Sequence, residues 1–156
     1  MTLFKLLGIT VSIDASWGII LFLVVWSLSK GLFPSYFPDL NIQTYWLMGV
    51  VGAMGLFTSI IIHEFSHSLI ARKYGLEIKG ITLFIFGGVA EMKDEPNSPK
   101  TEFFMAIAGP IASFLLSILF AALYQVANIL ELPIPIIGTL GYLSVINMLL
   151  AVFNMV

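Results

Sequence analysis

Apolar residues fall into four long blocks along this chain, roughly 15 to 33, 46 to 71, 103 to 130 and 135 to 156, separated by short polar breaks. Each block is near the ~20 residues that carry a helix across a bilayer, so the pattern predicts four transmembrane helices in one domain over residues 1–156. Ahead of the first block, "ITVSIDAS" alternates Ile9, Val11 and Ile13 with Thr10, Ser12 and Asp14, the period of a short strand at the membrane surface. No small-residue cleavage site accompanies the first block, which reads as a retained helix. "PSYFPDLNIQT", residues 34–44, carries two prolines and predicts an external loop, with Tyr45 and Trp46 placed for an aromatic belt. Between the second and third blocks, the apolar run 81–89 is too short to cross a bilayer and is rich in β-branched and aromatic residues. It predicts a β-hairpin turning at Gly87 and Gly88. Strand edges cannot face lipid, so this hairpin must dip against protein or lie at the interface, and a solvated loop rich in Pro, Asp, Glu and Lys follows it. The expected fold class is a membrane all-α protein with about four transmembrane helices, a short N-terminal surface strand and a membrane-dipping β-hairpin between helices two and three.

Composition agrees: 59% of the residues are hydrophobic and 10% charged, less than half the charged share of ordinary soluble domains. Charge placement adds an orientation. Arg72, Lys73, Lys79, Lys93 and Lys100 lie between the second and third spans and Lys5 lies before the first, while Lys30 alone falls on the other side. By the positive-inside rule the N-terminus and the 72–102 connection face the cytoplasm, as does the C-terminus. With no cysteine, disulfides, thiolate metal sites and a cysteine nucleophile are excluded. A net charge of −2 does not point to nucleic acid as a partner.

The only two histidines, His63 and His67, stand four apart inside the second span, with Glu64 beside the first. On a helix both imidazoles share one face and reach one ion. This H-E-x-x-H spacing supplies two metal ligands and a carboxylate able to take a proton from a water that the metal activates during attack on a carbonyl. The bland alternative is a pair of ordinary polar residues on a helix face. It weakens here because ionisable groups within a span are costly and by default functional. His67 precedes Arg72 by five residues, which sets it ~7 Å below the basic boundary, with His63 a turn deeper. Thr58, Ser59, Ser66 and Ser68 are candidates for a water path, although back-bonding to their own helix explains most of them.

Four stretches together resemble the site-2 protease family of intramembrane zinc metalloproteases: "HEFSH" at 63–67, "FGGVAEM" at 86–92, "AIAGPIAS" at 106–113 and "NMLLAVFNMV" at 147–156. The resemblance implies that His63 and His67 bind a single zinc ion, that Glu64 is the general base, and that Gly87 and Gly88 belong to a hairpin beside the site. It also implies that Asn154 lies near the metal and supports the transition state or substrate. In the family, the asparagine leads into a proline-containing run whose aspartate is the third zinc ligand; this chain stops at Val156 before it. The resulting expectation is a C-terminally incomplete protease core, inactive by itself because one metal ligand is missing. Glu91, Asp94, Glu95 and Glu102 read as solvated charges, and Asp14 belongs to the strand, so none replaces that ligand. Gly109 and Pro110 read as a helix-entry kink with a small residue for close packing. Asn147, on the face of the fourth span that also carries Asn154, reads as an interhelical hydrogen-bonding residue.

The implied function is an intramembrane zinc endopeptidase that cuts transmembrane segments of other membrane proteins, in a multi-pass position in the lipid bilayer of a prokaryotic plasma membrane. Two alternatives stand beside it. A membrane metal transporter would need further ligands at several depths, and a non-catalytic scaffold descended from the protease would lack the third ligand altogether.

Overall fold

The computed structural model describes residues 1–84, 87–93, 96 and 98–155. The first span joins α1 (Trp17–Ser27), a π-helical turn at Leu28–Leu32 and α2 (Phe33–Tyr36) into one stretch, Trp17–Tyr36. The widened turn lies just before Pro34, which withholds a backbone N–H from the helix. Helix therefore runs past 34, and the expected 34–44 loop shrinks to 37–41. Tyr45 ties that loop down: its hydroxyl donates to the Phe37 carbonyl at 2.6 Å and accepts from the Leu40 N–H at 3.2 Å.

The other spans are α3 (Ile42–Lys73), α4 (Pro99–Ile129) and α5 (Ile134–Phe153). With Trp17–Tyr36, the described residues thus hold four helices long and apolar enough to cross a membrane. Local chemistry sets their ends. Asn41 caps α3 by accepting from the Thr44 N–H at 2.8 Å, and Ser98 does the same for α4 with Thr101. Arg72 and Lys73 occupy the last turn of α3, whose carbonyls favour cations. Gly75, at φ +85°, then lets Leu76 bond back to the Ala71 carbonyl and closes the helix.

The strands form one sheet in the order β1 (Thr2–Leu6), β2 (Ile9–Ile13), β3 (Ile78–Phe84), β4 (Gly87–Met92). The expected surface strand is β2, and the expected hairpin is the β3–β4 pair. They are not separate: β2 pairs in parallel with β3, and the unpredicted β1 pairs with β2. Ile9, Ile81 and Leu83 from the sheet pack with Phe65 of α3, which presses β3 and β4 against the helix that carries the histidines. Gly87 and Gly88 are corrected from the turn to the first two residues of β4, because Gly87 pairs with Phe84 and Gly88 with Leu83. Phe84 lies on the internal strand β3, while Ile85, Phe86, Asp94 and Glu95 lie outside the described residues.

Candidate active site

α3 carries His63 and His67 one turn apart, and their Nε2 atoms converge to 3.1 Å. Both rings are held from behind by α4. The Nδ1 of His67 lies 2.6 Å from the Met105 carbonyl, and the Nδ1 of His63 lies 2.8 Å from Oγ of the buried Ser113. Gly109 sits midway between these two partners on the same face of α4. A Cβ built there would fall 2.5 Å from Nε2 of His63 and closer still to Nε2 of His67, so the two imidazole tips occupy the space that a side chain would fill. Gly109 thus serves close packing, as its small size suggested, and what it packs against is the histidine pair. Ordinary metal-ligating histidines show this arrangement, with one nitrogen held by a protein acceptor and the other free for the ion. The pair therefore fits a metal ion at the Nε2 atoms. Among the described residues, no group of three His, Cys, Asp or Glu side chains comes together to complete a ligand set.

Glu64 points into a cavity of about 430 Å³ whose walls include His67, Ala90, Met92, Glu102 and Met105. Gly88 closes against Glu64: a Cβ there would come 2.7 Å from its Cγ. The strand β4 thus runs directly beside the carboxylate. Its outer edge can be read from the ladder. The Asp14 N–H donates to the Leu83 carbonyl at 2.8 Å, so Leu83 turns its backbone groups toward β2. Gly88, opposite Leu83, and Ala90, opposite Ile81, then direct their N–H and C=O groups away from β3, toward the open edge.

The remaining candidates separate. Thr58, Ser59, Ser66 and Ser68 each donate to the carbonyl four residues back, which is the back-bonding expected for them. Asn147 is fully buried and donates to Ser59 Oγ at 3.0 Å and to the Leu143 carbonyl at 2.8 Å, joining α5 to α3 one turn beyond His63. Asn154 caps the end of α5, where its amide donates to the Leu150 carbonyl at 2.7 Å; among the described residues no hydrogen bond links it to the motif. Glu102, read as a solvated charge, lines the cavity from the first turn of α4. Two sequence signals point to the histidine partners Met105 and Ser113: the four-residue spacing 105, 109, 113 on one helical face and, for Ser113, its place at the end of "AIAGPIAS".

The profile of the Peptidase family M50 matches residues 51–133, more than half of the chain and the part that holds the histidines and the α4 face against them. The chain belongs to peptidase family M50. It is 42% identical over 152 residues to the protein sll0528 of Synechocystis sp., covering 97% of this chain and 39% of that protein. Against zinc metalloprotease MJ0392 of Methanocaldococcus jannaschii the identity is 34%, over 99% of this chain and 40% of that protein. The solved structure of the site-2 protease from M. jannaschii superposes with a TM-score of 0.66 at 30% identity, covering all of this chain and 64% of that one. The chain spans about two fifths of the length of the curated relatives it matches. With four apolar spans and this family membership, the M50 chain is an integral membrane protein of site-2 protease fold.

Proposed function

We propose that the protein is an intramembrane zinc endopeptidase that cuts transmembrane segments of other membrane proteins. The observation that carries this reading is the convergence of two Nε2 atoms, each ring held from behind, one residue from a carboxylate that opens into a cavity. His63 and His67 would hold one zinc ion per chain through Nε2, and zinc there would supply Lewis acidity toward water and the scissile carbonyl. Glu64 takes the proton from the attacking water through its carboxylate and passes it to the leaving amine. The carbonyl of Met105 holds the His67 ring in place. Asn154, at the end of α5, is assigned to transition-state support by its family position.

A transmembrane helix hides its amides in its own hydrogen bonds, so cutting requires local unwinding and backbone partners in a site with little water. The outward groups of Gly88 and Ala90 offer such partners beside Glu64. Proline at Phe84 would break the internal strand, so the informative change is Ala90→Pro, which removes an outward N–H and leaves the β3 ladder intact. In vesicles holding a helical transmembrane substrate, the full-length protein should release products whose masses place the cut within the span, while Ala90→Pro folds and fails to cut. No cut by the full-length protein would contradict the protease reading. Cutting by Ala90→Pro at the parental rate would leave β4 as a plug of the cavity rather than a substrate edge.

The basic residues around the sheet and at the end of α3 support a cytoplasmic position for that end of the bundle. Cysteine placed at Asp39 should react with an impermeant reagent on intact cells and cysteine at Lys79 should not; the reverse pattern would move the site toward the other face.

A further inference from the structure

Resting on the reading that the histidine pair holds the metal, we propose that Ser113 is a positioning residue that lets His63 exchange its ring proton between Nε2 and Nδ1 when the metal enters or leaves. The two histidines are backed by chemically different partners. The Nδ1 of His67 faces a backbone carbonyl, which only accepts, so this nitrogen carries the hydrogen and Nε2 presents a lone pair whether or not metal is bound. The Nε2 of His63 stands 3.1 Å from that lone pair, a hydrogen-bond distance. In a state with no cation between the rings, a hydrogen on Nε2 of His63 would satisfy that lone pair. The Nδ1 of His63 is then an acceptor, 2.8 Å from the Ser113 hydroxyl, which donates.

A cation between the rings needs both Nε2 lone pairs. The hydrogen of His63 must move to Nδ1, and the partner of that nitrogen must now accept. A hydroxyl serves both states by rotating about its C–O bond; a carbonyl such as that of Met105 serves one. Ser113 and His63 are both buried, so solvent does not readily replace the hydroxyl. Its loss would leave Nδ1–H of the metal-loaded state unpaired in the membrane interior.

The test uses the full-length protein and zinc alone. Zinc affinity is measured by chelator competition in the parent and in Ser113→Ala, Ser113→Thr, His63→Ala and His67→Ala, and the absorption bands of the cobalt-loaded forms are compared. Ser113→Ala is expected to weaken zinc binding by about 10- to 100-fold and to shift the cobalt bands, as loss of an outer partner of a ligating histidine does, and Ser113→Thr to restore both. Parental affinity and bands in Ser113→Ala, with zinc still lost from the histidine variants, would overturn the inference while leaving the metal reading intact. Equal losses in Ser113→Ala and Ser113→Thr would assign the effect to packing of α4 and also overturn it. Undiminished zinc in both histidine variants would instead contradict the metal reading itself.

Discussion

Glu64→Gln in the full-length protein is expected to lower peptide-bond cleavage by about 10²- to 10⁴-fold, the usual contribution of a general base, and to leave zinc content and folding unchanged. The amide keeps the length and planar shape of the carboxylate, so it fits the space beside Gly88, where a Cβ would come 2.7 Å from Cγ of Glu64. What disappears is the carboxylate to which the proposed mechanism gives the proton of the attacking water. Neither histidine depends on Glu64 for its orientation, because both rings are held by α4 through Met105 and Ser113. Metal content and rate should therefore separate in this variant. Single-turnover cleavage together with metal analysis is the check; a rate within about tenfold of the parent would assign the base elsewhere.

Gly109→Ala is expected to weaken zinc binding and to slow cleavage further than the loss of zinc explains. The added methyl would stand 2.5 Å from Nε2 of His63 and nearer to Nε2 of His67, where no real Cβ fits, so α4 or the rings must move. Overpacking of a tight site costs about 1–3 kcal/mol, which corresponds to roughly 5- to 150-fold in zinc affinity. At saturating zinc a residual rate loss of about 10²-fold should remain, because displacing catalytic groups by an ångström costs that much. Chelator competition and rates at high zinc separate the two effects. Parental affinity and rate in this variant would mean that α4 does not pack on the histidine tips.

Most of the helical frame was legible because a bilayer imposes a length and a polarity on every span, and because polar residues such as Ser98, Arg72 and Lys73 stand at the helix ends. The H-E-x-x-H pair was legible because a helix converts a four-residue spacing into one face. Other features lay beyond local pattern. The residues of β1 are all exposed, so "TLFKL" shows no buried alternation to read. The parallel pairing of β2 with β3 joins residues about seventy apart, with two spans between them. Glycine marks turns, which points to a turn at Gly87 and Gly88, yet the pair opens β4, and a Cβ at Gly88 would press on Glu64. Ser113 stands 50 residues from His63, and Met105 contributes a backbone carbonyl, which no side-chain pattern can announce.

Zinc analysis of the purified full-length protein and of its His67→Ala variant tests the metal centre most directly. In the proposed site His67 holds the metal through Nε2, so the parent should carry about one zinc per chain and the variant close to none under the same dialysis. Undiminished zinc in His67→Ala would contradict the assignment of the site to this histidine pair.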